Sequence, residues 1–198
     1  VGRPKEDRIM STQRQSTEEF KLDIQDSTSG VGSGEKFTRK EIITIINTRP
    51  IMPPDSKLAG IQLPHSNLSN LDLRNLPFER GNLIGCNLEQ ARLDNCFLES
   101  ANLEWANLKG ANLSNADLKK ANLKFADLRN ANLQGADLKF VSLQGARLDG
   151  TNLRNVNLQF ANLGGCNFRD AITEGANMSN VYGLETETQT RTGSSNSL

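Results

Sequence analysis

Side chains able to do acid–base, nucleophilic or metal chemistry are scarce in this 198-residue chain: one histidine, His65, and three cysteines, Cys86, Cys96 and Cys166. A nucleophilic site needs a thiol or hydroxyl against a base that a third group orients. No Cys or Ser nucleophile pattern stands near His65, which reads as a solvated corner residue. The odd cysteine count and the absence of a C-x-x-C spacing point away from zinc and toward free thiols in a reducing compartment. Gly30-Val31-Gly32-Ser33-Gly34 has the glycines of a phosphate loop, but no strand leads into it and no Lys-Ser/Thr follows Gly34, so it reads as a flexible linker. No catalytic, cofactor-binding or metal-binding residue is assigned, and the chain is not expected to be an enzyme.

What remains is recognition, and its residues are placed by a period of five. Every fifth residue from Leu63 to Leu163 is Leu, apart from Phe78, and Phe168 makes the 22nd consecutive position. In an α-helix, five residues advance a side chain by about 500°, so these leucines would spiral around all sides. In a straight strand they would alternate between its faces, because five is odd. One arrangement buries them all: a short extended step, a corner, and repetition until the chain coils around its own leucines.

Two residues before each leucine stands a small residue, which is Ala eight times running from Ala101 to Ala136. A spacing of two in extended backbone puts both side chains on one face, so the two point inward together. The residue between them, mostly Asn or Asp, faces out. The two after the leucine have the chemistry of corners exposed to water.

The unit Ala-Asn/Asp-Leu-x-x, complete over residues 101–138, resembles the pentapeptide-repeat family, with looser copies from about Ile61 to Val181. The resemblance implies an all-β fold, a right-handed quadrilateral β-helix in which residues twenty apart stack. About six coils at ~4.8 Å spacing would make a rod near 30 Å long.

Outside the coil, residues 1–36 are polar and expected to be disordered. Thr38-Arg39-Lys40-Glu41 has capping-box spacing, with Phe37 and Ile42 as a hydrophobic staple. A short helix is expected from about Arg39 to Asn47, within a helix and Pro-rich link spanning 37–60. Its isoleucines would cap the N-terminal end of a β-helix over 61–183. The register fails at Thr173, recovers at Met178 and gives way to a disordered tail over 184–198. The C-terminal coil is covered by residues 182–188, or paired with a second copy or a partner.

Lys plus Arg equals Asp plus Glu at 23 each, and residues 61–181 hold 12 of each sign. This balance argues against a nucleic-acid partner and against an acidic surface that imitates DNA. No apolar run approaches the ~20 residues of a membrane span, and no signal peptide opens the chain, so a soluble protein of the cytoplasm, with the nucleus also open to it, is expected. The opening residue, Val1 rather than Met, is that of a fragment or a processed product.

Four-sided coiling would place Glu89 under Lys109, Glu99 under Lys119 and Glu104 under Lys124, pinning register between coils. All three cysteines fall in the small inward position, too far apart to bridge. Trp105 would stack under Phe125 at one corner and Phe140 under Phe160 at another, the two columns flanking one face. Such aromatics either cover corners or bind a partner, and they are the candidate partner-binding residues.

A second resemblance lies at the join between helix and coil. Residues 37–43 (FTRKEII), 68–74 (LSNLDLR), Phe78, Asn82-Leu83 and Cys86-Asn87-Leu88 resemble the C-terminal half of animal BTB proteins of the potassium-channel-tetramerisation-domain type. That resemblance implies the client-binding part of a cullin-3 ubiquitin-ligase adaptor, with the BTB domain absent from this chain. A topoisomerase-binding pentapeptide protein that mimics DNA is the alternative, together with a purely structural scaffold.

Overall fold

The computed structural model describes residues 43–44 and 58–184. Ile43 and Thr44 are helical; the remainder of the helix expected over 39–47, and both terminal segments, lie outside the described residues.

From Leu58 onward one local pattern repeats every five residues. The leucine carbonyl accepts the N–H of the residue three ahead, as in Ala121 N to Leu118 O at 3.0 Å, closing a four-residue turn. Its third residue is left-handed. All 25 residues at every fifth position from Gly60 to Asn180 have positive φ, eight of them glycines. That is the torsion a turn with a left-handed third residue requires, and Asn and Gly tolerate it best. The abundance of Asn and Gly at this corner is therefore a backbone requirement beyond water exposure.

Between corners the chain is extended for three residues, too short for a strand to stand alone. Parallel bridges link each middle residue to the one twenty ahead, from Gln62↔Asn82 to Asn162↔Tyr182. Four five-residue steps thus complete one coil, and the four-sided stacking follows from pairing alone. We number the faces by their middle residues: face I runs through 62, 82 and onward to 182, face II through 67, face III through 72 and face IV through 77.

The interior is a column of leucine faced by alanine, fully buried through the central coils. Where the small inward residue can donate, it does so to the carbonyl 23 residues back. Cys86 Sγ reaches Leu63 O at 2.7 Å, Cys96 Sγ reaches Leu73 O at 2.9 Å, and Thr151 Oγ1 reaches Leu128 O at 2.8 Å. A buried donor is thereby satisfied without leaving the repeat.

The two ends differ. At the first coil Leu63, Leu68 and Leu73 are fully buried, and Pro77, which has no N–H to leave unpaired, sits at the outermost rung of face IV. At the last, Phe168, Ala171, Ala176, Met178 and Val181 are only partly buried. Tyr182 and Gly183 are exposed and Leu184 packs against the core; residues 185–188, the rest of the segment expected to cover the last coil, lie outside the described residues.

A candidate partner-binding face

The middle-residue Asn and Asp side chains have two tasks. Each Oδ1 accepts the N–H two residues on, as in Lys124 N to Asn122 Oδ1 at 3.2 Å, which holds the following corner. The Asn amide also donates along the rod. On face III, Asn132 Nδ2 reaches Asn112 Oδ1 at 3.1 Å and Asn152 Nδ2 reaches Asn132 Oδ1 at 2.9 Å. Face I has such a link from Asn122 to Asn102 at 3.1 Å; at Ser142 the side chain is too short to continue it, and its buried Oγ has no partner.

The charges expected to pair between coils do so in one of three cases. Lys109 Nζ lies 3.8 Å from Glu89. Lys119 turns instead to Asp117 on its own coil at 2.8 Å, and Glu99 takes Lys120 at 3.1 Å. Glu104 accepts the Asn122 amide at 3.1 Å rather than Lys124. For Lys119 the shorter reach explains the change: a partner two residues away on the same rung needs less ordering than one on the next coil. Asp127 grips Arg129 in the same manner, Nε to Oδ1 at 2.8 Å, and this pairing holds its carboxyl below the ordinary range. Asp72, Asp117 and Asp127 are thus each neutralised by a neighbour, so none leaves a bare carboxylate of the kind a DNA mimic presents.

The cysteines carry no disulfide. Cys86 and Cys96 are buried as expected, but Cys166, in the half-covered last coil, is only partly so. Burial pushes the thiols of Cys86 and Cys166 up to about 11, against reactivity as nucleophiles. His65 is exposed at a corner, its ring lying over Gly85, where a Cβ would meet Nδ1 at 2.5 Å. No group of three or more metal-ligating side chains clusters among the described residues.

The four candidate aromatics fall where the period puts them. Trp105 and Phe125 stack at 4.4 Å with 15° between their planes, at the corner between faces I and II. Phe140 and Phe160 stack at 5.0 Å and 13°, at the corner between faces IV and I. Both columns therefore border face I. Lys139 Nζ stands 5.3 Å from the Phe140 ring and 5.9 Å from Phe160, within cation–π range. Trp105 is 60% exposed, Phe140 49%, Phe125 41% and Phe160 39%.

All four hold the left-handed corner torsion, with φ between 57° and 61°, where a bulky side chain is an outlier. The cost is about 1–2 kcal/mol for each. A stacked pair contributes about 0.5–1.5 kcal/mol beyond its area. The same torsion is held by Arg80, Gln90 and Lys120, so what sets the aromatics apart is the apolar surface they leave exposed.

Among the described residues three more large apolar side chains are exposed that the repeat unit does not foretell: Phe97, Ile172 and Tyr182. Each replaces the middle Asn or Asp, and that substitution was the available signal. Tyr182 lies at the end of face I, Phe97 on face IV and Ile172 on face III.

A leucine column wrapped by five-residue steps, four to a coil, with its variation confined to corners and middle positions, defines a β-solenoid. Residues 82–104, 98–135 and 131–170 match the pentapeptide-repeat family in eight copies, so the repeat segment of this chain belongs to that family, whose fold is the right-handed quadrilateral β-helix. Among solved structures the chain is similar to the pentapeptide repeat protein Rfr23 from the cyanobacterium Cyanothece 51142, at 26% identity over 61% of this chain and 89% of that one, with a TM-score of 0.46. It is also similar to HetL of Nostoc, a pentapeptide repeat protein involved in heterocyst differentiation regulation, at 30% identity over 63% and 79% with a TM-score of 0.24. QnrB1, a plasmid-mediated fluoroquinolone resistance protein, is 19% identical over 63% and 66% with a TM-score of 0.48. No curated protein matches the chain at significant similarity. These matches concern the repeat; none of them is a BTB protein.

Proposed function

We propose that this chain is a non-enzymatic protein-interaction module whose partner docks across face I, between the Trp105–Phe125 and Phe140–Phe160 columns. The observation that carries the reading is exposed aromatic surface. Four large aromatics stand at corners bordering face I, where most corners carry Asn, Gly or a charged or polar side chain, and they stay 39% to 60% exposed. Large apolar groups on a rigid, flat, polar face are the anchors a protein partner uses.

Replacing each pair with Asn, the residue the corner prefers, tests the reading. W105N/F125N and F140N/F160N are expected to keep the thermal midpoint within a few degrees while losing a protein that the parent chain retains in affinity purification. Variants that retain every protein the parent retains would leave a purely structural scaffold as the better account. In the same purification, recovery of cullin-3 would favour the client-binding part of a BTB adaptor, a reading supported by the likeness of residues 37–43 and 68–88 alone. Recovery of topoisomerase would favour the DNA mimic. A site of action in the cytoplasm or nucleus belongs with the adaptor reading.

A further inference from the structure

The equal charges of the coil are not spread evenly along it. Residues 58–104 hold six acidic and three basic side chains, a net charge of −3 with His65 neutral. Residues 105–160, the span from Trp105 to Phe160, hold four acidic and eight basic, a net charge of +4. The four carboxylates of that second span lie away from face I: Asp127 is on face II, Asp117 and Asp137 are on face IV, and Asp149 bonds to Asn167 of face II. On face I and its two corners the same span holds four lysines and no carboxylate.

Pairing separates the four lysines. Lys119 is held by Asp117 and Lys120 by Glu99. Lys124 and Lys139 have no carboxylate partner among the described residues, and Lys139 meets only the rings of Phe140 and Phe160. Where Glu104 accepts from the Asn122 amide on the next coil, the residue in the corresponding place for Lys124 is Ser142, whose Oγ is bonded to nothing among the described residues. The two unpaired lysines stand at opposite corners of face I, on adjacent rungs, across a width of about 10 Å for three extended residues. Each is followed in the chain by a ring, Phe125 or Phe140, so a segment crossing face I meets a cation and an apolar surface at both edges.

Complementary charge selects partners and speeds their encounter. We propose that the partner docked on face I presents an acidic protein segment, whose carboxylates take Lys124 and Lys139 and whose apolar side chains meet the Trp105–Phe125 and Phe140–Phe160 columns. This inference rests on the proposed docking across face I and names the chemistry of what docks there. Single-stranded nucleic acid has the same sign of charge, but its bases stack on open ring faces. The Phe125 ring is closed between Trp105 and the Gly145 backbone, where a Cβ would meet Phe125 Cδ1 at 2.6 Å, and Phe140 and Phe160 cover one another. The negative coils before Trp105 also repel a polyanion longer than the patch.

Fluorescein-labelled peptides that repeat Glu-Leu-Glu or Gln-Leu-Gln, and labelled oligothymidylate, are titrated with the 198-residue chain and followed by anisotropy. The acidic peptide is expected to bind saturably and to weaken as salt rises. K124Q/K139Q should weaken it by about two- to thirtyfold, the product of two exposed ion pairs, and the Gln peptide should be weaker by a similar factor. K109Q/R154Q removes the same charge from other corners and should change binding by less than about twofold, because exposed charges farther apart than a Debye length are screened. The proposal is overturned by the absence of saturable binding, by a Gln peptide that binds as tightly, by K109Q/R154Q weakening the acidic peptide as much as K124Q/K139Q, or by oligothymidylate binding more tightly than the peptide. Failure here, with a protein still lost by W105N/F125N in affinity purification, removes the acidic segment and leaves face I standing; retention of every protein removes the docking face instead.

Discussion

The coils through residues 101–140 and the last coil, from Cys166 onward, are written in nearly the same five-residue unit, yet they are not equally folded. In the first region every inward Leu and Ala is fully buried, and each rung bonds to coils on both sides, as Leu118 N does to Asp137 O at 2.8 Å and Asn122 N to Ala101 O at 2.9 Å. In the second, Phe168, Met178 and Val181 are only partly covered. The repeat specifies a side chain's direction; a neighbouring coil supplies its burial. Stability in such an array is nearest-neighbour, and an end rung has one neighbour.

Core truncation should separate the two regions most. Leu118→Ala is expected to lose about 2–5 kcal/mol in denaturant unfolding, while Met178→Ala should lose about 1 kcal/mol or less. Equal losses would mean that something covers the last coil as fully as the coils cover one another. The Asn ladder gives the next contrast. Asn132→Ala removes a bond to Asn112, one from Asn152 and the corner N–H of Gln134, for about 1–2 kcal/mol in total. Among the described residues the Asn177 side chain accepts only from Ser179, through its N and Oγ, and Asn177→Ala should lose about half as much or less.

Smaller effects follow from protonation. Asp127, in the central coils, is held below its ordinary value of 3.8 chiefly by the hydrogen bond from Arg129. Its contribution is complete above that value and fades as pH falls through the lower folded one, so Asp127→Asn should flatten the acid limb of a stability–pH curve below about pH 4. Cys86 and Cys166 have the opposite sign. Each thiol titrates at 9.0 in the unfolded chain and about 11 in the fold. Stability that is complete below about pH 9 should therefore decline toward pH 11, where the unfolded chain has already lost the proton. The smallest contrast is kinetic. At pH 8, Cys166 in the last coil should be alkylated before Cys86 and Cys96, as mass spectrometry of the modified peptides would show; simultaneous reaction would equate the end coil with the centre.

Much of this architecture was legible because the signal was repeated. Twenty-two apolar residues at a spacing incompatible with helix or strand leave a coil, and the Leu–Ala alternation fixes which face is inside. The stacked aromatic columns followed once residues twenty apart were aligned. The ion pairs did not follow. Alignment gave Lys119 to Glu99 and Lys124 to Glu104, whereas Lys119 closes on Asp117 and Glu104 binds an amide. Long side chains choose among several partners within reach, and a linear text does not rank those choices. Phe97 and Tyr182 are exceptions to the regular unit, each standing exposed where Asn or Asp belongs.

The sequence by itself determined the period, the inward residues and the corners, because those depend on local torsion and on the alternation of an extended chain. Only the tertiary structure decided which rungs are buried, which charges meet, and that the His65 ring closes over the glycine at position 85. These depend on what the next coil brings, twenty residues away, and a local pattern contains no measure of that distance.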